Sequence, residues 1–253
     1  SFKLRPHQEF LRNYISPHTP YNGILIFHST GVGKTCTAIS IAEGFKETLN
    51  SKKKIIVISS ESIKKNFKKE IYNFDKEKYK KKSSDIVQCT GLEYELGDEF
   101  KYLTYEQKKI KIDKMINEYY KFYPYQRFAN LIKNKLGWDG DYKTLNELQK
   151  IKINQIYSNR VIIVDEVHNI RKGTNKNFKD ILKMLKEIIR YSINLKLVFM
   201  SATPIYDRPK EIVDILNLLL LNDKRELIKD GSIFNKNNDF TPEGKKILIE
   251  KSK

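Results

Sequence analysis

Short runs of apolar residues, each bounded by polar or glycine-bearing segments, divide the chain. They span residues 24–27, 55–58, 161–164 and 195–200 and are rich in isoleucine, leucine and valine. Unbroken apolar runs of this length are typical of strands that are buried on both faces of a parallel sheet. A further short strand is predicted at residues 86–90.

Segments with apolar residues at helical spacing lie between these runs. They cover about residues 2–15, 35–43, 63–71, 104–120, 124–136, 144–157, 178–189 and 209–221. Thr104 with Gln107 predicts a capping box for the helix at residues 104–120. Alternating strands and helices are typical of right-handed crossover units, so the predicted fold class is α/β with a mostly parallel central sheet. Residues 75–157 are long for one crossover, and we expect a mainly helical insertion there, whose tyrosines and phenylalanines belong to the core.

The run at residues 24–27 leads into a loop that ends in Gly33-Lys34-Thr35. In a phosphate-binding loop, backbone N–H groups surround the phosphates, a lysine reaches the β and γ phosphates and a hydroxyl holds Mg²⁺. The strict pattern has glycine where this chain has His28, but the required strand precedes the loop and a helical segment follows it. An ordinary glycine turn is the alternative. The predicted nucleotide-binding residues are Ser29, Thr30, Gly31, Val32, Gly33, Lys34, Thr35 and Cys36.

The run at residues 161–164 ends in two acids, Asp165 and Glu166. We expect this strand to lie beside the strand of the phosphate loop, so that Asp165 holds Mg²⁺ and Glu166 orients and deprotonates the attacking water. Acids also cap helices, which is the alternative. The pair follows a phosphate loop in an α/β pattern, which favours the catalytic interpretation.

Charge and cysteine content add weaker information. The formal net charge is +17, which favours a polyanionic partner such as nucleic acid, although solvated lysines on helix surfaces are the alternative. We predict nucleic-acid contacts at Ser60, Ser62 and Thr90, with helix capping as the alternative for the two serines. The only cysteines are Cys36 and Cys89, so a reducing setting without a need for disulfides is expected. No apolar run approaches the length of a membrane span.

Four motifs occur together in a characteristic order: Arg5-Pro6-His7-Gln8, Gly33-Lys34-Thr35, Asp165-Glu166-Val167-His168 and Ser201-Ala202-Thr203. Over about residues 3–221 the chain resembles the first motor domain of superfamily 2 (DExH-type) helicases. It is most similar to the helicase-like ATPases of large nucleocytoplasmic DNA viruses, of the poxvirus early-transcription-factor and transcription-termination types.

The resemblance implies a RecA-like domain that binds ATP and Mg²⁺ at the carboxyl ends of its strands. Gln8 would read adenine, Lys34 would bind the β and γ phosphates, and Thr35 with Asp165 would position Mg²⁺. Glu166 would activate water. Coupling to nucleic acid and to a second domain would involve His168, Ser201, Ala202 and Thr203. Tyr125 would be the counterpart of an element that contacts nucleic acid in related motors.

By this resemblance, residues 1–222 form the first RecA-like domain and residues 223–253 a connector toward a second domain. We expect a fragment that hydrolyses ATP very slowly alone, because the second domain supplies arginine fingers. The expected function is nucleic-acid-dependent ATP hydrolysis by a helicase or translocase in viral transcription, with duplex DNA favoured as the track. A viral RNA polymerase or transcription-factor subunit is an expected partner, and the virion and host cytoplasm are the expected locations. The alternatives are a restriction-type motor subunit, a packaging ATPase and an ATP-switched DNA clamp without turnover.

Overall fold

A computed structural model describes most of the chain. The described residues are 4–27, 33–49, 53–73, 89–91, 93–94, 96–138, 145–170, 176–203, 210–229, 233–235 and 239–252, without the side chains of 176–180 and 210. None of the described helices is long and apolar enough to cross a lipid bilayer.

A five-stranded, wholly parallel sheet forms the centre of the described structure. Its strands are β1 (Gly23–Phe27), β2 (Ile55–Ser59), β3 (Tyr120–Pro124), β4 (Arg160–Val164) and β5 (Leu195–Ser201). Their order across the sheet is β1-β5-β4-β2-β3. The four strands predicted from the long apolar runs are therefore confirmed. Residues 86–88 of the other predicted strand lie outside the described part, and Cys89 and Thr90 lie in a turn.

Helices connect the strands and cover the sheet. They are α1 (Pro6–Tyr14), α2 (Lys34–Glu43), α3 (Glu61–Ile71), α4 (Tyr105–Tyr119), α5 (Tyr125–Leu136), α6 (Glu147–Tyr157), α7 (Lys176–Tyr191), α8 (Lys210–Asn222) and α9 (Pro242–Lys251). The predicted capping box of α4 is present, because the Thr104 hydroxyl accepts from the Gln107 N–H and the Gln107 side chain accepts from the Thr104 N–H.

Alternate residues of each strand point into two separate apolar layers. On one face, Ile56, Ile162 and Phe199 pack with residues of α5, α6, α7 and α8. On the other face, Val57, Ile163 and Val198 pack with residues of α2, α3 and α4. Every residue of β2 and of β5 is buried. Burial on both faces explains why these strands are mostly apolar in the sequence. The buried Lys196 of β5 is an exception, and its ammonium donates to the carbonyls of Thr19 and Tyr21.

The described part of residues 75–157 is mainly helical, as predicted, and strand β3 is the one element of the described sheet that was not predicted. Tyr120–Pro124 pairs in parallel with β2 and forms the edge of the sheet, so this segment belongs to the central fold. Tyr120 and Phe122 are buried, whereas Lys121 between them is exposed. Alternation of this kind is typical of a strand with one face exposed. Because it lacks a continuous apolar run, β3 was not distinguished from the helical patterns on either side of it.

The segment after α8 packs back onto that helix. Val213 and Leu220 of α8 form an apolar cluster with Ile228, Ile233 and Phe234. The Thr241 hydroxyl accepts a hydrogen bond from the Gly244 N–H and so caps α9. The predicted connector therefore has an ordered apolar contact with the α/β core.

The two cysteines meet across one face of the sheet. Cys36 of α2 and Cys89 are joined in a disulfide, and their Cα atoms lie 5.2 Å apart. This pairing departs from the expectation of two reduced thiols. It attaches the turn at residues 89–91 to the helix that begins at the phosphate loop.

Candidate nucleotide site

The strand order sets the spacing of the site. Strand β5 lies between β1, which leads into the phosphate loop, and β4, which ends at the two acids. The expectation that β1 and β4 are neighbours is therefore wrong, and their axes are about 10 Å apart given the usual spacing of strands. The end of β5 consequently lies between the phosphate loop and the acids.

Helix α2 begins at the end of the phosphate loop. Gly33 has a φ of +86°, a backbone conformation that favours glycine, and its carbonyl accepts hydrogen bonds from the N–H and the hydroxyl of Thr37. Lys34 and Thr35 are the first helical residues and are half-buried. Cys36 is buried in the disulfide. His28, Ser29, Thr30, Gly31 and Val32 lie outside the described residues, so their contacts with phosphate stay predictions.

Helix α1 brings Gln8 against the base of this loop. The Gln8 side chain is only 4% exposed. Its amide nitrogen donates to the Gly33 carbonyl at 3.3 Å, and its amide oxygen accepts from the Arg5 N–H at 3.0 Å. A Cβ atom on residue 33 would lie 2.9 Å from that amide nitrogen. Gln8 is thus a buried residue of the site that supports the loop, and its reading of adenine stays a prediction.

The Asp165 carboxylate is held at the end of β4. The Asp165 N–H donates to the Ile58 carbonyl at 2.9 Å, which continues the pairing with β2, and the side chain is 6% exposed. Burial, followed by the charge of Glu166, raises the pKa of Asp165 to about 6, while the Glu166 N–H and Lys34 act in the opposite direction.

Glu166, His168 and the end of β5 form one polar network. Glu166 has an unusual φ of +48°. Its Oε2 atom accepts from the Ala202 N–H at 3.3 Å and lies 3.2 Å from His168 Nδ1. His168 Nδ1 is also 2.9 Å from the Ser201 hydroxyl, which in turn accepts from the Thr203 N–H at 3.1 Å. The structure therefore brings together all the residues predicted to couple nucleotide and nucleic acid.

Tyr125 occupies a different place from the one predicted. It begins α5, is 7% exposed, and donates its hydroxyl hydrogen to the carbonyls of Asp165 and Glu166. Burial and the nearby Asp165 raise the pKa of this hydroxyl, so it stays a donor. A buried hydroxyl that donates to these carbonyls is not available to nucleic acid. The predicted contact of Tyr125 with nucleic acid is therefore corrected: Tyr125 supports the backbone of the turn at residues 165–166, which we call the acidic turn. The only sequence feature that could have indicated this role is the position of Tyr125 directly after β3, a strand that the sequence patterns did not predict.

The other predicted nucleic-acid contacts do not form one cluster. Ser60 caps α3 by accepting from the Ile63 N–H, and its hydroxyl is 2.9 Å from that of Ser62. Both serines lie at the carboxyl end of β2, on the same edge of the sheet as Asp165. Thr90 donates to the carbonyl of Ile71 at the opposite end of α3, about 16 Å along the helix axis. The capping interpretation of Ser60 is therefore confirmed, and Thr90 lies apart from both serines.

The oxygen atoms that could hold Mg²⁺ belong to Thr35 and Asp165. One Asp165 oxygen accepts from the Glu166 N–H at 3.0 Å. The described residues provide no hydrogen-bond partner for the other oxygen. Hydroxyl and carboxylate oxygens are the ligands that Mg²⁺ prefers, together with water and phosphate, so this donor set fits the ion. The described residues contain no cluster of three or more His, Cys, Asp or Glu side chains suited to a metal.

We expect Asp165→Asn to stabilise the protein in metal-free buffer, and to do so only at high pH. The folded-state pKa of about 6 lies above the ordinary value of 3.8, so ionisation of Asp165 opposes folding. The gain in unfolding free energy should reach up to about 3 kcal/mol above pH 7 and vanish below pH 4. Denaturant unfolding at several pH values measures it. Glu118→Gln, on an exposed acid, is the charge-matched control, and an equal gain in both variants would contradict the burial argument.

We expect Tyr125→Phe to lower the unfolding free energy by about 1–2 kcal/mol, because two carbonyls at the acidic turn lose a donor. Nucleic-acid affinity should be unchanged. Tyr123→Phe is the matched control, since the half-buried Tyr123 hydroxyl makes no hydrogen bond with the described residues. Reduced nucleic-acid affinity with unchanged stability would restore the original prediction for Tyr125.

Known proteins with similar sequences come mainly from large DNA viruses. A candidate ATP-dependent RNA helicase of Acanthamoeba polyphaga mimivirus is 36% identical over 222 residues, which cover 87% of this chain and 33% of that protein. A candidate helicase of Invertebrate iridescent virus 3 is 30% identical over 227 residues, 86% of this chain and 20% of that protein. Nucleoside triphosphatase I of Heliothis armigera entomopoxvirus is 25% identical over 241 residues, 92% of this chain and 30% of that protein.

The chain thus spans about a third or less of the length of these relatives. A family model that describes the res subunit of type III restriction enzymes matches residues 1–206. These are the residues that form the parallel sheet and the polar network at its carboxyl edge. The chain belongs to this helicase family, and its relatives place it among the superfamily 2 helicase-like ATPases of large DNA viruses, with a RecA-like α/β domain.

Proposed function

We propose that this chain is the ATP-binding first motor domain of a nucleic-acid-dependent ATPase, a helicase or translocase that acts in viral transcription. The observation that carries the proposal is the network joining Glu166 and His168 to Ser201 and Ala202. It connects the acids of β4 to the end of a different strand. A site that only bound nucleotide would not need this connection.

Nucleotide binding is assigned to the loop before α2 and to the acids after β4. Lys34 lies at the N-terminus of α2, where the amide groups and helix dipole also favour phosphate. Thr35 and Asp165 would hold Mg²⁺, which when bound neutralises charge on the β and γ phosphates. We propose that Gln8, which is bonded to Gly33 and Arg5, would supply its remaining amide hydrogen and oxygen lone pair to adenine.

Glu166 is assigned as the general base. Its Oε2 atom is occupied by the Ala202 N–H, whereas Oε1 has no partner among the described residues. We propose that Oε1 orients a water molecule and accepts its proton. The bond from Ala202 fixes the carboxylate, which reduces the cost of ordering it for the reaction.

His168 and Ser201 are assigned to coupling. A proton received by Glu166 changes the charge 3.2 Å from His168 Nδ1, and the same nitrogen contacts the Ser201 hydroxyl. Ser201 also accepts from the Thr203 N–H, so a change at Glu166 acts on the backbone after β5. We propose that this backbone transmits the state of the nucleotide to nucleic acid and to a second domain.

Nucleic acid is the proposed track, with duplex DNA favoured. The net charge of +17 supports a polyanionic partner, and Ser60 and Ser62 lie on the sheet edge that carries the acids. We further propose a viral RNA polymerase or transcription-factor subunit as partner, in the virion and host cytoplasm. The description of the matched family model favours a second candidate, the motor subunit of a restriction-type enzyme.

We expect ATP hydrolysis by the full-length protein to be stimulated by nucleic acid, and Glu166→Gln to abolish turnover while preserving ATP affinity. Glutamine keeps the size and the bond from Ala202 but cannot accept the proton. Steady-state hydrolysis is measured without nucleic acid and with single-stranded DNA, duplex DNA and RNA at one stated salt concentration. Equilibrium ATP binding is measured on the same variants.

Lys34→Ala is the contrasting variant. It should weaken ATP binding itself, because a charge-assisted contact of roughly 1.5–3 kcal/mol is lost. Turnover that no nucleic acid changes would favour an ATPase that acts on protein. ATP binding without any turnover would favour a clamp, and equal turnover of Glu166→Gln and the parent would remove Glu166 from the mechanism.

A further inference from the structure

A pocket lined by basic and aromatic residues opens at the amino-terminal edge of the sheet. Its volume is about 360 Å³, and its polar lining is dominated by Lys53, Lys121, Lys135, Arg160, Tyr123 and Tyr157. We call these six residues the basic pocket. Arg160 begins β4 whereas Asp165 follows its end, so Arg160 is about 16 Å from Asp165 along the strand.

The strand register explains why the cations converge. Lys121 of β3 and Ile162 of β4 are both paired with Ile56 of β2. Because side chains two residues apart share a face, Arg160 and Tyr123 point to the same side of the sheet as these residues. Helix α5 adds Lys135 and helix α6 adds Tyr157 over that side. Strands β3 and β4, helices α5 and α6, and Lys53 before β2 thus contribute to one concave surface.

No described acid neutralises the positive charges of the basic pocket. The described lining contains no acidic residue, and no described carboxylate forms an ion pair with any of its four cations. Repulsion is evident at Lys121, whose pKa is lowered by burial and then by Lys135, Lys54 and Arg160. Burial and Arg160 likewise lower the pKa of Lys53. Because like charges this close repel one another, a bound anion would stabilise the arrangement.

Arg160 carries the clearest sign of a missing partner. Its Nε atom is buried and has no hydrogen-bond acceptor among the described residues. A buried guanidinium N–H without an acceptor is unfavourable, and native proteins rarely leave one unmatched. Lys53, in contrast, donates to the Ser158 carbonyl, so its ammonium is fixed in place beside Arg160. An anion in the basic pocket would lie beside the Arg160 guanidinium and near three ammonium groups.

We propose that the basic pocket binds a small ligand carrying two or more phosphate groups, at a site separate from the nucleotide site. Clustered lysines with an arginine match the several negative oxygens of linked phosphates, and they exceed what a single carboxylate would need. The volume lies within the range of small-molecule sites. The half-buried Tyr123 offers ring surface to an attached apolar or aromatic group.

The test uses the full-length protein carrying Lys34→Ala, which weakens phosphate binding at the nucleotide site, and inorganic pyrophosphate as the probe. Titration calorimetry and phosphorus NMR at low salt should detect saturable binding. The double variant Lys121→Gln/Lys135→Gln alters two exposed side chains and should keep the fold. We expect it to weaken pyrophosphate binding at least about tenfold, because two charge-assisted contacts are lost.

The matched control is Lys109→Gln/Lys114→Gln, which removes two exposed charges from α4 and should change the affinity less than about twofold. Absence of saturable binding, or equal loss in both double variants, would overturn the proposal. Circular dichroism and thermal unfolding check that each variant is folded. Pyrophosphate binding is measured in a protein whose nucleotide site is weakened by Lys34→Ala. Its absence would therefore contradict the proposal for the basic pocket without bearing on ATP hydrolysis, which is measured separately.

Competition distinguishes the two sources of linked phosphates. A short oligonucleotide with a 5′-triphosphate is compared with the same strand bearing a 5′-hydroxyl. Competition by the triphosphate strand alone would identify a nucleic-acid end as the source, and competition by neither would identify a free small molecule. Equal competition by both strands would show a general backbone surface and would overturn a site for linked phosphates.

Discussion

Burial of the Asp165 carboxylate is the constraint on which the nucleotide site depends. The acid is nearly inaccessible, and its N–H continues the pairing of β4 with β2, which fixes its backbone in the sheet. A buried carboxylate is costly unless charges or donors compensate it. Lys34 and the Glu166 N–H supply that compensation in the protein itself. We infer that the positive charge of a bound metal ion would supply more of it.

The backbone around the acids is held from two sides. Glu166 adopts a left-handed conformation that costs a non-glycine residue about 1–3 kcal/mol, and such conformations persist only when the surroundings enforce them. Tyr125 binds the carbonyls of Asp165 and Glu166 from the α5 side, and Ala202 binds the Glu166 carboxylate from β5. The turn is therefore fixed by packing before any ligand binds.

The carboxyl ends and the amino ends of the strands in the parallel sheet have opposite chemical characters. The carboxyl ends of the strands lie on the side of the sheet that carries the acids and the start of α2. Their amino ends lie on the side that carries Arg160 and Lys53. Because β5 lies between β1 and β4, it sets the distance between the start of α2 and the acids. Strand β3, beside β2, completes the basic pocket. A change of strand order would separate both groups of side chains, although no residue in either group would change.

The sequence alone determined the elements and the local chemistry. Apolar runs predicted four of the strands, the Thr104 capping box predicted the start of α4, and the motifs around Lys34 and Asp165 predicted the family. Each signal lies within a few neighbouring residues. Only the tertiary structure decided that β5 separates β1 from β4, that Tyr120–Pro124 is a strand, and that Tyr125 supports the acids across 40 positions of sequence. These outcomes depend on which elements pack together, and local periodicity carries no information about contacts between distant segments.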